Sequence, residues 1–123
     1  MKKKPQAFSA SARIKSLKDA VNGIIVVAKE EHNAWLHIVA TVIVVVTASQ
    51  FDLTATELSL LIFAVGLVWV SETFNSAIEA LADEINSELS AGIKKTKDIA
   101  AGAVLISSFT AFIIGLLIFL PKI

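Results

Sequence analysis

Five polar side chains are spaced so that they share one face of a helix in the middle of the chain. Because an α-helix advances about 100° per residue, all five fall within a stripe roughly 80° wide. The stripe follows an apolar run at residues 58–70, and a polar stripe that enters a membrane helix has to face protein or water. It is therefore the first candidate for a functional site. Its members are Glu72, Asn75, Glu79, Asp83 and Asn86.

The depth of two glutamates along this helix indicates what each could do. Glu72 lies about 21 Å along the helix from residue 58 and Glu79 about 31 Å, in a hydrocarbon core about 30 Å thick. A carboxylate held inside the membrane boundary can take a proton from a lipid hydroxyl group, which is the role predicted for Glu72. Glu79 is predicted to hold a divalent cation, with Glu31 as the other acid near that level, since magnesium prefers oxygen ligands and shares them with phosphates.

Phosphoryl transfer also needs positive charge and hydrogen-bond donors around the phosphates. Lys94, Lys95 and Lys97 supply charge shortly after the stripe, and Asn75 can donate or accept a hydrogen bond. The five glycines are scattered, so no glycine-rich phosphate loop can be identified. The residue types alone therefore indicate a functional site but leave its reaction open.

The composition indicates a membrane protein. Of the 123 residues, 55% are hydrophobic, whereas a soluble domain has about 45–50% apolar residues. The chain has no cysteine, which excludes disulfides, thiolate zinc sites and cysteine nucleophiles. The formal net charge is zero, but the beginning of the chain is strongly basic. Its first basic residues are Lys2, Lys3, Lys4, Arg13, Lys15 and Lys18.

The hydrophobic pattern predicts a single all-α membrane domain over residues 1–123. A mobile tail and a basic amphipathic surface helix are predicted over residues 1–30, and transmembrane helices at about residues 35–51, 58–82 and 99–120. The first span is rich in β-branched residues, but a lone strand cannot satisfy its backbone hydrogen bonds in lipid. Thr54 or Thr56 is predicted to cap the second helix, and a turn is predicted within residues 87–96.

Two histidines flank the start of the first predicted span. His32 and His37 are five positions apart, about 140° around a helix, so they cannot bind one metal ion from a single face. They are interpreted as a pair of interfacial histidines. Trp35, which lies between them, is predicted to anchor the helix at the membrane surface.

The distribution of basic residues predicts the orientation of the chain in the membrane. Basic residues occur in the N-terminal segment and around residues 83–98, whereas the loop at residues 51–57 has none. The N-terminus and the second loop are therefore predicted to be cytoplasmic. With three crossings, the C-terminus would lie outside.

Two longer motifs include the candidate site residues. They are Glu72-x-x-Asn75-Ser76-Ala77-Ile78-Glu79-x-x-x-Asp83 and Lys97-Asp98-x-Ala100-Ala101-Gly102-Ala103-Val104. Together they resemble the signature of the prokaryotic integral-membrane diacylglycerol kinase family, which includes undecaprenol kinases. The resemblance covers nearly the whole chain. It departs from the family pattern in that no histidine closely follows Glu88, and that Trp35 stands where undecaprenol kinases commonly carry arginine.

The resemblance implies a lipid kinase that requires Mg²⁺ and uses ATP as co-substrate. The acceptor would be a membrane lipid, diacylglycerol or undecaprenol. The protein would be a homotrimer of three-span subunits with shared active sites, located in the bacterial cytoplasmic (inner) membrane, and no nucleic-acid partner is expected. The implied roles are a general base at Glu72, metal binding by Glu31 and Glu79, ATP contacts from Arg13, Asn75, Glu79, Glu88, Lys97 and Asp98, and acceptor contacts from Glu72 and Trp35.

Two other classes of protein also carry acidic residues inside the membrane. In a small transporter or proton-conducting subunit, Glu72 and Glu79 would relay ions. In a structural membrane protein, the polar stripe would only mediate assembly. Neither alternative explains why Asn75 stands beside the acids or why Lys97 and Asp98 lie at the cytoplasmic boundary, whereas phosphoryl transfer uses such groups around the phosphates.

Overall fold

The described part of the chain folds into four α-helices. The computed structural model describes residues 7–86, 88 and 90–123, and these residues form no strand, in agreement with the predicted all-α class. The helices are α1 (Ala10–Glu30), α2 (Ala34–Ser49), α3 (Ala55–Ile85) and α4 (Ala91–Phe119), and a short 3-10 helix (Leu120–Lys122) follows α4. The predicted tail falls mostly on residues 1–6, which lie outside the described residues, as do Ser87 and Leu89 on either side of Glu88.

Hydroxyl side chains set the starts of three helices. Ser9 accepts a hydrogen bond from the backbone N–H of Ala12 at the start of α1. At the start of α3, the Thr54 hydroxyl accepts from the Glu57 N–H (3.1 Å), while the Glu57 carboxylate accepts from the Thr54 N–H (3.0 Å). This reciprocal capping box satisfies two backbone donors that the helix itself cannot satisfy. Of the two threonines predicted to cap this helix, Thr54 is the one that does so.

The predicted turn at residues 87–96 is wrong in its second half. Helix α4 begins at Ala91, because the Ser90 hydroxyl accepts from the Ile93 N–H and caps the helix. One turn later, the Lys94 ammonium donates to the Asp98 carboxylate, four positions along the same helix face. Such pairs stabilise a helix. The basic residues predicted for a loop therefore lie on the first turns of α4.

Helix α1 extends away from the other helices. It meets α2 at an angle of 99°, and the Glu31 N–H, at the corner between them, bonds to the Val27 carbonyl. Val27 is the one buried residue of α1, all of which is described. This geometry fits the predicted surface helix, whose contact with a membrane stays a prediction.

Helices α3 and α4 pack against each other in antiparallel orientation through small side chains. Ala64 and Ala82 are buried on α3, and Ala100 and Ser107 on α4. The Ser107 hydroxyl is hydrogen-bonded to the hydroxyl of Ser71 across the interface. Small residues let two helix backbones approach closely in a membrane. Of the motif residues Ala100, Ala101, Gly102 and Ala103, Ala100 is the one that is buried.

Two helices are long and apolar enough to cross a membrane. They are α3 and the continuous segment Ala91–Lys122, which contains α4. Helix α2 has 16 residues, about 24 Å at 1.5 Å per residue, and is shorter than a hydrocarbon core of about 30 Å. By length and composition, the described residues therefore contain two candidate spans. The number rises to three if α1 and α2, which meet at a sharp bend, together form one span.

Candidate active site

The carboxylate of Glu72 is buried on α3, with 1% of the residue exposed. Its Oε2 atom lies 3.0 Å from Nε2 of His37 on α2. An ionised carboxylate can only accept hydrogen bonds, so the His37 Nε2–H donates to it. The first residue of the predicted stripe is thus enclosed by protein and held by a partner from another helix.

His37 is itself fixed by two neighbours. The Thr41 hydroxyl donates to the backbone carbonyl of His37 (2.6 Å) and accepts from the Trp69 indole N–H of α3 (3.0 Å). The imidazole of His37 also packs edge-on against the Trp69 ring, with centroids 6.1 Å apart. The two histidines differ, because His32 is exposed whereas His37 turns inwards to Glu72; their position at the membrane interface stays a prediction.

A signal for this contact was present in the sequence. His37 and Thr41 are polar residues four positions apart inside an otherwise apolar segment, so they share one helix face. A polar face on a membrane helix needs a polar partner on a neighbouring helix. The acidic stripe on α3 is that partner.

Asn75 and Ser76 lie one turn beyond Glu72 and are both buried, each with 5% exposed. The Asn75 Nδ2 donates to Oε1 of Glu79 at 3.4 Å. Among the described residues, Asn75 Oδ1 and Ser76 Oγ find no hydrogen-bond partner. Ser76 was missed as a site residue, although four positions after Glu72 place it only about 40° away on the same face.

The far end of the stripe is exposed to solvent. Asp83 accepts a 2.6 Å hydrogen bond from the Lys97 ammonium, which ties α3 to the first turns of α4. Asn86 follows at the C-terminal end of α3 and is exposed. The stripe therefore runs from a buried carboxylate to a solvent-exposed ion pair, as its predicted path from lipid to water requires.

Glu31 lies at the corner between α1 and α2, where the negative charges of acids on α3 act on its carboxyl group. Burial raises the pKa of its carboxyl group, and the negative charges of Glu79, Glu72 and Glu30 raise it further. No group of three or more acidic, histidine or cysteine side chains in the described part of the chain could hold a metal ion by protein ligands alone. Magnesium, however, is usually held by one or two carboxylates together with substrate phosphates, and the pair Glu31 and Glu79 fits that pattern.

Two predicted site residues lie apart from this cluster. Arg13 is near the start of α1, with its guanidinium 5.6 Å from the Phe8 ring centroid, and the 18 positions to Glu31 span roughly 27 Å of helix. Glu88 is exposed in the loop between α3 and α4. Trp35 is exposed and lines an open cleft of about 500 Å³ with Glu31. Lys97 contacts Asp83 at the end of the stripe, and Asp98 pairs with Lys94 on α4.

An apolar groove of about 590 Å³ lies between α2 and α4 and reaches His37. Val68 contributes from α3, while Ile43, Phe112 and Leu116 line the groove farther from His37. The buried dyad of His37 and Glu72 is therefore adjacent to a space lined by hydrocarbon side chains.

Residues 18–119 match the family described as prokaryotic diacylglycerol kinase. The chain belongs to this family. The match includes the acidic stripe, the His37 contact and both spanning helices, and the resemblance inferred from the two motifs is confirmed.

Named relatives support the same membership. The chain is 36% identical to the undecaprenol kinase of Bacillus subtilis (strain 168) over 108 residues, which is 88% of each chain. It is 43% identical to the diacylglycerol kinase of Escherichia coli (strain K12) over 75 residues, 61% of this chain and 62% of that one. The diacylglycerol kinase of Synechocystis sp. (strain ATCC 27184 / PCC 6803 / Kazusa) is 33% identical over 92 residues, 74% of this chain and 53% of that one.

Membership of the diacylglycerol kinase family establishes the enzyme class. The chain is a membrane lipid kinase, and ATP is its co-substrate. The expectation of a kinase is thereby confirmed over that of a transporter or a purely structural protein.

Proposed function

We propose that this lipid kinase transfers the γ-phosphoryl group of MgATP to a membrane lipid alcohol at the buried end of the polar stripe. The observation that carries the proposal is the burial of Glu72 beside two polar atoms, Asn75 Oδ1 and Ser76 Oγ, that have no partner among the described residues. Buried polar atoms in native proteins are nearly always hydrogen-bonded, so unpaired ones call for an explanation. Contact with substrate is the explanation proposed here.

Glu72 is proposed as the general base. The Oε2 atom is engaged by His37, and Oε1 accepts the proton of the lipid hydroxyl. The lipid oxygen then forms a bond to the γ-phosphorus as the bond to the β-phosphate oxygen breaks and ADP leaves. The apolar groove beside His37 supports this role, because a lipid acceptor must bring its hydrocarbon chain close to the reacting hydroxyl.

Glu31 and Glu79 are proposed to bind the Mg²⁺ that accompanies ATP. Burial and, after it, the negative charge of Glu79 raise the pKa of Glu31, and a divalent cation between the two carboxylates would relieve their repulsion. Bound there, Mg²⁺ would neutralise charge on the phosphates. Glu79 also accepts from Asn75, so the metal-binding carboxylate and the proposed phosphate-contacting amide are coupled.

The remaining ATP contacts are proposed for Asn75, Glu79, Lys97, Asp98, Glu88 and Arg13. Lys97 supports this assignment, since its ammonium lies at the solvent-exposed end of the stripe next to Asp83. Arg13 and Glu88 are remote from the cluster in one subunit. Active sites shared between subunits, as the resemblance implies, would let these residues come from a neighbour.

A homotrimer is proposed on the strength of that resemblance. The need to hide the polar stripe from lipid adds little support, because one subunit already buries Glu72 and Asn75. Crosslinking in mild detergent is expected to yield a trimer, and a preparation that is active only as a monomer would contradict this.

The proposed setting is the bacterial cytoplasmic membrane, with the N-terminus and the α3–α4 loop on the cytoplasmic side. α2 is proposed as a third crossing, despite its short length, because short spans are accommodated by local thinning of the bilayer. α1 would then lie on the cytoplasmic surface, with Trp35 at the interface beside the bound acceptor.

Undecaprenol and diacylglycerol are the two proposed acceptors. The relative named undecaprenol kinase aligns over 88% of this chain, and the diacylglycerol kinase of Escherichia coli over 61%, which favours undecaprenol. Purified protein should be assayed with radiolabelled ATP and each lipid in turn. Transfer of label to either lipid supports the proposed reaction, whereas a protein that labels neither lipid would contradict it.

A further inference from the structure

The contact between His37 and Glu72 is placed where it can control the geometry of the reaction. The two side chains come from different helices, α2 and α3, and meet at 3.0 Å. The Glu72 side chain is 1% exposed and that of His37 is 14% exposed. A glutamate has three rotatable side-chain bonds, so a carboxylate without a fixed partner could adopt several rotamers.

Burial gives this hydrogen bond a second effect. Removing a carboxylate from water is costly unless hydrogen bonds replace its hydration. His37 Nε2–H is the donor that the described residues provide to Glu72, and a bond to a charged acceptor is stronger than one between neutral groups. His37 thus orients the carboxylate and replaces part of the hydration that burial removes.

The imidazole is held in turn by a chain of contacts that does not touch Glu72. The Trp69 indole donates to the Thr41 hydroxyl, which donates to the His37 backbone carbonyl. The Trp69 ring also meets the His37 ring edge-on. Because Trp69 lies on α3 three positions before Glu72, the same helix that carries the carboxylate also fixes the distance to its partner.

We propose that His37 is the positioning residue for Glu72, and that Thr41 and Trp69 hold His37 in register with it. This inference rests on the proposed role of Glu72 as the base. His37 acts through Glu72 by leaving one carboxylate oxygen directed at the acceptor hydroxyl. His37 is therefore expected to affect kcat and not nucleotide binding or assembly.

The direct test compares two substitutions of His37 in the purified enzyme. His37→Leu removes the donor and should lower kcat about 10–100-fold, since small misplacement of a reacting group can cost about 10²-fold, with little change in the KM for ATP. His37→Gln keeps an N–H₂ donor near the position of Nε2 and should restore most of the lost turnover. Equal losses in both variants would overturn the proposal, because a role in packing alone does not depend on a donor.

A second test separates this inference from the proposed base. In the Glu72→Gln background, His37→Leu should cause no further loss of kcat, because the two residues act as one unit. Multiplicative losses would contradict a positioning role through Glu72. If Glu72→Gln alone turns over normally, the proposed base is wrong; if Glu72→Gln is slow but His37→Leu is not, only the inference on His37 fails.

A matched pair of threonines keeps the test valid even if His37 variants fail to fold. Thr41→Val and Thr110→Val each remove a hydroxyl bonded to the carbonyl four positions earlier, but only the Thr41 hydroxyl also accepts from Trp69. Thr41→Val should lower kcat several-fold, by less than His37→Leu, whereas Thr110→Val should not lower it. Equal turnover in the two threonine variants would overturn the proposed role of Thr41 and Trp69.

Discussion

The start and the middle of α3 each carry a glutamate with a partner on another element, yet they differ in how completely their polar groups are satisfied. At the start, Glu57 accepts from the Thr54 backbone and lies 3.2 Å from the Lys122 ammonium. Phe51 packs against Phe119 beside this ion pair, with ring centroids 5.8 Å apart. This contact therefore ties the start of α3 to the end of α4.

The middle of α3 leaves polar atoms without partners. Glu72 is more deeply buried than Glu57, and Asn75 Oδ1 and Ser76 Oγ one turn away are unpaired among the described residues. An unsatisfied buried polar group costs about 1–3 kcal/mol, so this arrangement does not serve stability. The difference supports the proposal that the same residue type closes the structure at the start of α3 and takes part in the reaction at its middle.

The largest effect expected from this difference is on Glu72. Glu72→Gln keeps the size of the side chain but removes the base, so kcat should fall by about 10²–10⁴-fold, the usual contribution of general base catalysis. Binding of ATP and lipid should persist. Measuring kcat together with the thermal aggregation temperature of the detergent-solubilised protein distinguishes a lost base from a lost fold.

Glu57→Gln is the matched control at the start of the same helix. It removes one carboxylate charge from the ion pair with Lys122 and should leave kcat unchanged. A Glu72→Gln protein with near-normal turnover, or one that simply fails to assemble, would remove the support for a base. Similar losses of kcat in both variants would show that the two glutamates do not differ in function.

The next largest effect is expected at the proposed metal ligands. Glu79→Gln and Glu31→Gln should each raise the Mg²⁺ concentration for half-maximal activity about tenfold, equivalent to about 1.4 kcal/mol of binding, because a neutral amide loses the charge that Mg²⁺ favours. Titrating Mg²⁺ at saturating lipid gives the shift. Glu84→Gln, an exposed acid on the same helix, is the control and should titrate like the unmodified protein. Wild-type activity of both variants at limiting Mg²⁺ would refute the metal assignment.

Much of this site could be predicted because its signals lie within single helices. The spacing of Glu72, Asn75 and Glu79 gives their common face directly, and the match to residues 18–119 follows from the same motifs. The contact of His37 with Glu72 was not predicted, because the two residues are 35 positions apart in the sequence. Periodicity reports which residues share a face, but it does not report which faces of different helices meet.

The loop before α4 was misplaced for a different reason. Gly92, Lys94 and Lys95 suggested a turn by composition, but the cap at Ser90 and the pair formed by Lys94 and Asp98 start the helix earlier. Local hydrogen bonds thus outweighed residue propensity, which is a weak guide when tertiary contacts are present. The proposed sharing of the site between subunits would involve other chains and is not encoded in the periodicity of one.

A smaller effect is expected for the lysine at the exposed end of the stripe. Lys97→Met should raise the KM for ATP roughly fivefold, equivalent to about 1 kcal/mol, because it removes a cation proposed to contact the nucleotide. Lys95→Met changes the net charge equally, from an exposed position two residues earlier on α4, and should leave this KM unaltered. An equal rise in both variants would indicate a general electrostatic effect and contradict a specific contact by Lys97.

The smallest effect is expected at the satisfied end of α3. Lys122→Met breaks the ion pair with Glu57, whose side chains are 24% and 27% exposed, and water can replace much of the lost interaction. Partly exposed pairs contribute little, so the thermal aggregation temperature should fall by at most about a few degrees, with kcat unchanged. High salt should shrink the difference from the unmodified protein, since screening weakens exposed pairs. A fall in kcat comparable to that of His37→Leu would show that the Glu57–Lys122 ion pair is coupled to the site around Glu72. The contact between the start of α3 and the end of α4 would then be required to position Glu72.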